Sequence, residues 1–270
     1  MGATNSEDPP LPAIPGAWGG IFRSPAREFV LIFLLSFAVR GALLAAWVNN
    51  HQDFYRLGGE MGRVALSLVR TGQFADPYKI PTGPTAHPLP FWPALLALIY
   101  HAFGMTATAG YVRAFVGICS YSALYALLPW FGRRLGLGRR AGIFAGVAGA
   151  LIPLQGLGEA TGVGFTAHMS LSFAALIIAF RHRWSLQRLS AAGSLLLGVG
   201  CGAAFHLLPP LLFVVLGNLI FELWWKRDRR KWFLCACVAT GAMLTCVPWT
   251  WRNYKVCLLY TSPSPRDRQK

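Results

Sequence analysis

The feature that most constrains this chain is a series of long apolar runs separated by short clusters of basic residues. A transmembrane helix needs about 20 consecutive apolar residues to cross a hydrocarbon core that is about 30 Å thick. The chain is 54% hydrophobic and only 13% charged, whereas a soluble domain carries roughly 25% charged residues. The pattern therefore predicts an all-α, polytopic membrane helix bundle.

Seven spans are predicted from these runs, at residues 27–48, 108–131, 141–157, 164–181, 189–207, 208–225 and 232–250. Residues 1–26, rich in Pro, Gly and small polar residues, are predicted to form a flexible cytoplasmic leader. Residues 49–107 are then the first outer loop. Within it, residues 91–104 hold only about 14 apolar residues, too few to cross unaided. We expect this stretch to lie on the outer leaflet or to dip into it.

The net charge of +15, from 25 Lys and Arg against 10 Asp and Glu, follows the ends of the loops. Basic residues cluster at 133–140, 181–188 and 226–231, and Arg23 and Arg27 precede the first span. If the helices alternate in direction, all these clusters lie on one side, which is the positive-inside pattern. The charge predicts a multi-pass protein of the cell (inner) membrane with a cytoplasmic amino terminus. It does not indicate a nucleic-acid partner, because the basic residues track loop ends.

The acidic residues single out the first outer loop as the candidate site. Most acids belong to the leader, to the cytoplasmic side or to the last residues of the chain. Four are expected outside or at the outer membrane face, and three of these, Asp53, Glu60 and Asp76, lie within residues 49–92. This asymmetry predicts that any chemistry takes place in the outer loop.

An amphipathic helix is predicted at residues 56–70, where apolar residues recur at helical spacing. Its polar face carries Glu60 among Arg56, Arg63 and Arg70, and such a helix suits the membrane interface. The alternative interpretation is an interfacial helix whose charges only form salt bridges. The apolar stripe consists of Leu57, Met61, Val64 and Leu68.

The outer loop continues through a proline-dense segment, residues 77–93, which is predicted to be extended and rigid because proline disfavours regular helix and sheet. His87 lies in this segment and could bind a phosphate or an acceptor, or could have a structural role alone. The sequence shows no clear cluster of metal ligands. No cofactor is predicted, although dependence on a divalent metal ion stays open.

Two segments resemble a known family. The first runs from Gly59-Glu60 through Thr82-Gly83-Pro84-Thr85-Ala86 to Phe103-Gly104, and it is similar to the first outer loop of glycosyltransferases with the C-type membrane fold. The second, Pro248-Trp249-Thr250-Trp251-Arg252-Asn253-Tyr254, resembles a recurring segment in bacterial members. The resemblance points to the protein mannosyltransferase and aminoarabinose transferase group.

This resemblance implies transfer of a sugar from a polyprenyl-phosphate-linked donor, within the bilayer, to an unknown acceptor (a lipid, glycan or protein) on the extracytoplasmic face. An acidic residue just beyond the first span then acts as general base on the acceptor hydroxyl. Many members carry an adjacent Asp-Glu pair, whereas this chain has Gly59-Glu60, so Asp53 competes with Glu60 as the base. Glu60 is preferred because it shares a helical face with Arg56 and Arg63.

Basic groups are expected to offset the charge of the departing lipid phosphate. Beside Arg56 and Arg63, the candidates are Arg40 inside the first span, Arg113 near the outer end of the second, and Arg252. The alternatives are that Arg40 and Arg113 extend to a headgroup, and that Arg252 anchors the interface. Asp76 and His87 are the candidate residues of the loop on the acceptor side.

Two other functions stay possible from the sequence alone, a membrane transporter and a non-catalytic membrane subunit. Residues 256–270 resemble a translated sequencing adapter and are expected to be non-native. Residues 27–255 are then expected to be an incomplete transferase domain, and the fragment could be inactive.

Overall fold

The computed structural model describes residues 24–50, 59–134, 136–152 and 189–261, except for residues 208, 210–212, 214–215, 218, 221–222 and 225–227. In these ranges the chain forms helices and no strand, which confirms the predicted all-α class for the described residues. The helices are α1 Pro25–Asn50, α2 Gly59–Thr71, α3 Phe91–Phe103, α4 Ala107–Arg134, α5 Arg139–Leu151, α6 Ala191–Phe205 and α7 Arg229–Thr261.

Three helices in the described residues are long and apolar enough to cross a membrane, namely α1, α4 and α7. They correspond to the predicted spans 27–48, 108–131 and 232–250. The apolar helices α3 and α6 are shorter. The predicted span 164–181 lies outside the described residues, and 208–225 does so in part. The structure therefore supports a membrane protein with three candidate spans.

The predicted span 141–157 is shorter than expected, because α5 has 13 residues and ends at Leu151. It packs closely against α4 and α1 through small residues. A Cβ on Gly142 would lie 2.7 Å from the Cα of Pro129, and one on Gly146 would lie 2.9 Å from the carbonyl oxygen of Tyr125. Glycine at these positions allows the helix backbones to approach each other closely.

The start of α1, the end of α4 and the start of α5 meet at a buried carboxylate, and we call this the basic end of the molecule. Glu28 is 1% exposed and accepts hydrogen bonds from Arg133 Nη1 at 2.6 Å and from Arg139 Nε at 2.5 Å. α1 and α4 therefore run in opposite directions. Two of the basic segments that were predicted to share one side meet here.

Residues 59–106 lie at the opposite end, which we call the loop end. α2 and α3 pack there on the first turns of α4 through Val112 and a buried cluster that includes Ala65, Trp92 and Ala109. Val64, on the predicted apolar stripe, is fully buried. The predicted amphipathic helix 56–70 is confirmed as α2, although Arg56 and Leu57 precede the described part.

α6 and α7 run parallel and are in close contact. A Cβ on Gly198 would lie 3.0 Å from the amide nitrogen of Ala242, one on Gly202 would lie 2.7 Å from the carbonyl oxygen of Ala242, and His206 Nε2 lies 3.0 Å from the carbonyl oxygen of Thr245. Because the two helices are parallel, the chain between them has to return to the starting end. Leu219 and Leu223 on this return pack with the α6–α7 core.

Candidate functional site

The structure brings Glu60 and His87 together at the loop end. Glu60 lies in the first turn of α2, where a carboxylate is favoured by the helix dipole. Its Oε2 is 2.8 Å from Nε2 of His87, and the two side chains are 41% and 58% exposed. A predicted base and a predicted loop residue therefore form one partly exposed carboxylate–imidazole pair.

Asp76 closes the loop that carries His87. Its backbone has a φ of 55°, a left-handed conformation that Asp tolerates better than most residues. The Oδ1 atom accepts hydrogen bonds from the amides of Thr82, at 2.9 Å, and Gly83, at 2.8 Å. Across the same loop, the Thr85 amide donates to the Phe74 carbonyl at 3.1 Å. These contacts give Asp76, a predicted acceptor-side residue, a role in shaping residues 74–85.

Two further contacts attach the loop to its surroundings near the pair. Arg63 Nη1 donates to the carbonyl oxygen of Pro77 at 3.3 Å, so the guanidinium predicted to bind phosphate holds α2 against the loop. The His87 amide donates to Thr85 Oγ1 at 3.1 Å, which fixes the backbone that presents the imidazole. The Tyr78 ring lies 6.2 Å from the His87 ring.

Arg252 connects this loop to α7. Its guanidinium donates to the carbonyl oxygen of Phe74 at 2.9 Å and to that of Thr85. The guanidinium carbon also lies 5.1 Å from the centre of the Phe74 ring and 5.0 Å from that of Trp249. Arg252 was predicted to lie beyond the last span, but α7 continues past Pro248, so the residue is helical.

Arg40 lies inside α1 and is 2% exposed. It donates to Ser36 Oγ at 2.8 Å and to the carbonyl oxygens of Ala150 and Gly149, each at 3.1 Å. Its guanidinium carbon is 4.8 Å from the centre of the Tyr125 ring. α5 ends where Ile152, the residue before Pro153, becomes extended, and Arg40 satisfies carbonyl groups of the last turn. The contacts of Arg40 favour a structural role over phosphate binding.

Arg113 is also buried, at 6% exposure, which does not fit an extended side chain that reaches a headgroup. It lies beside Tyr100 of α3. Burial raises the pKa of the Tyr100 phenol, and the Arg113 guanidinium opposes that rise. Arg113 is thus part of the contact between α3 and α4.

The Glu60–His87 pair can hold and pass a proton. A carboxylate can take a proton from a hydroxyl directly, or it can orient an imidazole that does so through its other nitrogen. No group of three or more His, Cys, Asp or Glu side chains in the described ranges could hold a metal ion. Asp53 and Arg56, the other candidates that the sequence offers in the first outer loop, fall outside those ranges.

Three residues at the loop end have structural roles that the sequence reasoning missed. Thr85 accepts from Arg252 through its carbonyl oxygen and from the His87 amide through its hydroxyl. Phe74 and Trp249 form an edge-to-face pair with ring centres 4.9 Å apart. The only signal was that all three lie in the two segments that carried the family resemblance.

Comparison of this chain with protein-family models, curated proteins and solved structures finds no match.

Proposed function

We propose that this protein transfers a sugar from a polyprenyl-phosphate-linked donor to a hydroxyl acceptor at the extracytoplasmic face of the membrane. The observation that carries the proposal is the contact of 2.8 Å between Glu60 and His87. The pair is partly exposed, lies at the end of the bundle away from the Glu28 cluster, and belongs to segments that adjoin candidate spans. A lipid-linked donor in the bilayer would be within reach of such a site.

In the proposed reaction, the acceptor hydroxyl oxygen attacks the anomeric carbon of the sugar. The bond between that carbon and the phosphate oxygen breaks, and the polyprenyl phosphate leaves with the electron pair. Glu60 takes the hydroxyl proton as general base, and His87 holds the carboxylate in position. Proton removal by a positioned base typically contributes about 10²–10⁴-fold to the rate.

The first prediction concerns Glu60. The Glu60→Gln substitution keeps the size of the side chain but removes its basicity, so we expect sugar transfer to fall by at least about 100-fold. The measurement is transfer of radiolabelled sugar from a polyprenyl-phosphate donor in proteoliposomes. Thermal unfolding of the same samples should be unchanged.

Two variants complete this test. Arg70→Gln alters an exposed residue at the other end of α2 and should leave transfer unchanged. His87→Gln should lower transfer less than Glu60→Gln if the carboxylate is the base, and equally or more if the imidazole is. Wild-type rates in Glu60→Gln would exclude Glu60 as the base and make Asp53 the leading candidate.

A further inference from the structure

A continuous series of contacts links α7 to the Glu60–His87 pair. Arg252 donates to the carbonyl oxygen of Thr85, the Thr85 hydroxyl accepts from the His87 amide, and the His87 ring contacts Glu60. Thr85 is 7% exposed, so its own atoms are shielded from competing water, whereas the Glu60–His87 contact is partly exposed. The position of the imidazole therefore depends on a residue far along the chain.

The Arg252 guanidinium is well suited to hold this loop. It donates to two carbonyl oxygens on opposite sides of the loop, those of Phe74 and Thr85, and it also contacts Asn253 Oδ1 at 3.1 Å. Its faces approach Phe74 and Trp249, which restricts its rotation. A planar, rigid donor array can make these contacts together, whereas a lysine ammonium cannot.

We infer that Arg252 is a positioning residue that fixes residues 74–87 against α7 and thereby holds His87 beside Glu60. The consequence for sugar transfer rests on the proposed function, whereas the positioning of the loop does not. This role differs from the phosphate binding that the sequence predicts for Arg252. Its Nη1 and Nη2 atoms already donate to two backbone carbonyl oxygens and to Asn253 Oδ1, so a lipid phosphate would have to compete with these acceptors.

Amide hydrogen exchange tests the positioning directly in the full chain reconstituted in lipid nanodiscs. In Arg252→Lys, we expect the amides of residues 74–87 to exchange roughly tenfold faster or more, because charge-assisted contacts of the loop are lost. Peptides covering Gly198–Gly202 in α6 should exchange as in the wild type. The matched control is Lys255→Gln, which removes an exposed cation nearby on α7 and should leave the loop unchanged.

Unchanged exchange of residues 74–87 in Arg252→Lys would overturn the inference. If α7 itself loses protection in that variant, Phe74→Leu decides, because it removes one of the two rings around the guanidinium without altering α7. Faster exchange of residues 76–87 in Phe74→Leu supports the inference, and wild-type exchange there overturns it.

Transfer kinetics separate positioning from phosphate binding. A positioning residue lowers kcat in Arg252→Lys and adds little to the loss in His87→Gln, because the imidazole that Arg252 positions is already absent from that variant. A phosphate ligand instead raises KM for the lipid donor and acts independently of His87, which would overturn the inference. If the wild type transfers no sugar while Arg252→Lys still frees the loop, the proposed function fails and the positioning role stands.

Discussion

Arg40 shows at the scale of a residue how this chain accommodates a charge inside an apolar helix. A charged group at the bilayer centre is costly unless it meets a partner or a water-filled cavity. Here the partners are the carbonyl groups of Gly149 and Ala150, which belong to the last turn of α5. The partial negative charge at a helix C-terminus favours a cation there. These hydrogen bonds pair the buried cation and also satisfy carbonyl groups at the end of α5.

Replacement of Arg40 by Met should destabilise the protein by about 3 kcal/mol, because two buried carbonyl oxygens lose their charged donors. The loss should appear as a lower midpoint of thermal unfolding in detergent. Arg27→Met makes the same change at an exposed position of the same helix and should have almost no effect. Equal midpoints for the two variants would mean that Arg40 does not support the end of α5.

The pairing of α6 with α7 dominates the packing at the scale of elements. Gly198 and Gly202 are one turn apart on α6, and α7 presents Gly241 and Ala242 to them. Small residues at this spacing allow helix backbones to come close in a lipid environment, where the hydrophobic effect does not drive association. The neighbouring Gly200 is different, since an added Cβ there would meet nothing within 4 Å.

The different surroundings of Gly202 and Gly200 allow a matched pair of substitutions to valine. Gly202→Val inserts a side chain where a Cβ would already lie 2.7 Å from the Ala242 carbonyl oxygen, so we expect a loss of about 2 kcal/mol or more. Gly200→Val makes the same change in helix propensity without a steric conflict and should be close to neutral. The check is resistance to proteolysis of the α6–α7 pair. Equal sensitivity of both variants would argue against the close contact.

The elements themselves were predictable where the signal is local. An apolar stripe and a polar face, each recurring at helical spacing, identified α2. Continuous apolar runs identified α1, α4 and α7. The end of α5 has a local signal that hydropathy does not register, because Pro153 disfavours the helical conformation at the preceding residue, and Ile152 is extended. The run 141–157 was therefore predicted to be helical for longer than the described helix. The contact of Arg40 with the last turn of α5 comes from more than 100 positions earlier in the chain, and no local pattern predicts it.

At the scale of the whole molecule, the described residues form two groups of charges, one at each end. Glu28, Arg133 and Arg139 meet at the basic end, whereas Glu60, Asp76 and His87 lie at the loop end. Arg252 of α7 binds the loop, whereas Arg229 begins the same helix about 35 Å away at 1.5 Å per residue. Of the basic clusters predicted to share one side, the 133–140 cluster lies at the basic end with the start of α1, and the 181–188 cluster lies outside the described residues.

The residues of the candidate site were identified from the sequence, but their contacts were not. Glu60 and His87 were both predicted to act in the outer loop, by charge and by residue type. Their contact depends on the path of a proline-rich loop, and the loop in turn depends on Arg252, 178 positions from Phe74. Pairings at such separations follow from the tertiary fold and leave no periodic pattern in the sequence.

Sidedness can be tested with two reporter positions of nearly equal exposure at opposite ends. Ile80 is 68% exposed in the outer loop, and Leu137 is 67% exposed between α4 and α5. In a background without the six native cysteines, Ile80→Cys should react with a membrane-impermeant maleimide on intact cells, whereas Leu137→Cys should react only after permeabilisation. We expect this labelling from the positive-inside rule, because Leu137 lies among four arginines of the 133–140 cluster.

The reverse labelling would put the Glu60–His87 pair in the cytoplasm and contradict transfer at the extracytoplasmic face. Labelling of both positions from one side would mean that the loop end and the basic end do not lie on opposite sides of the membrane.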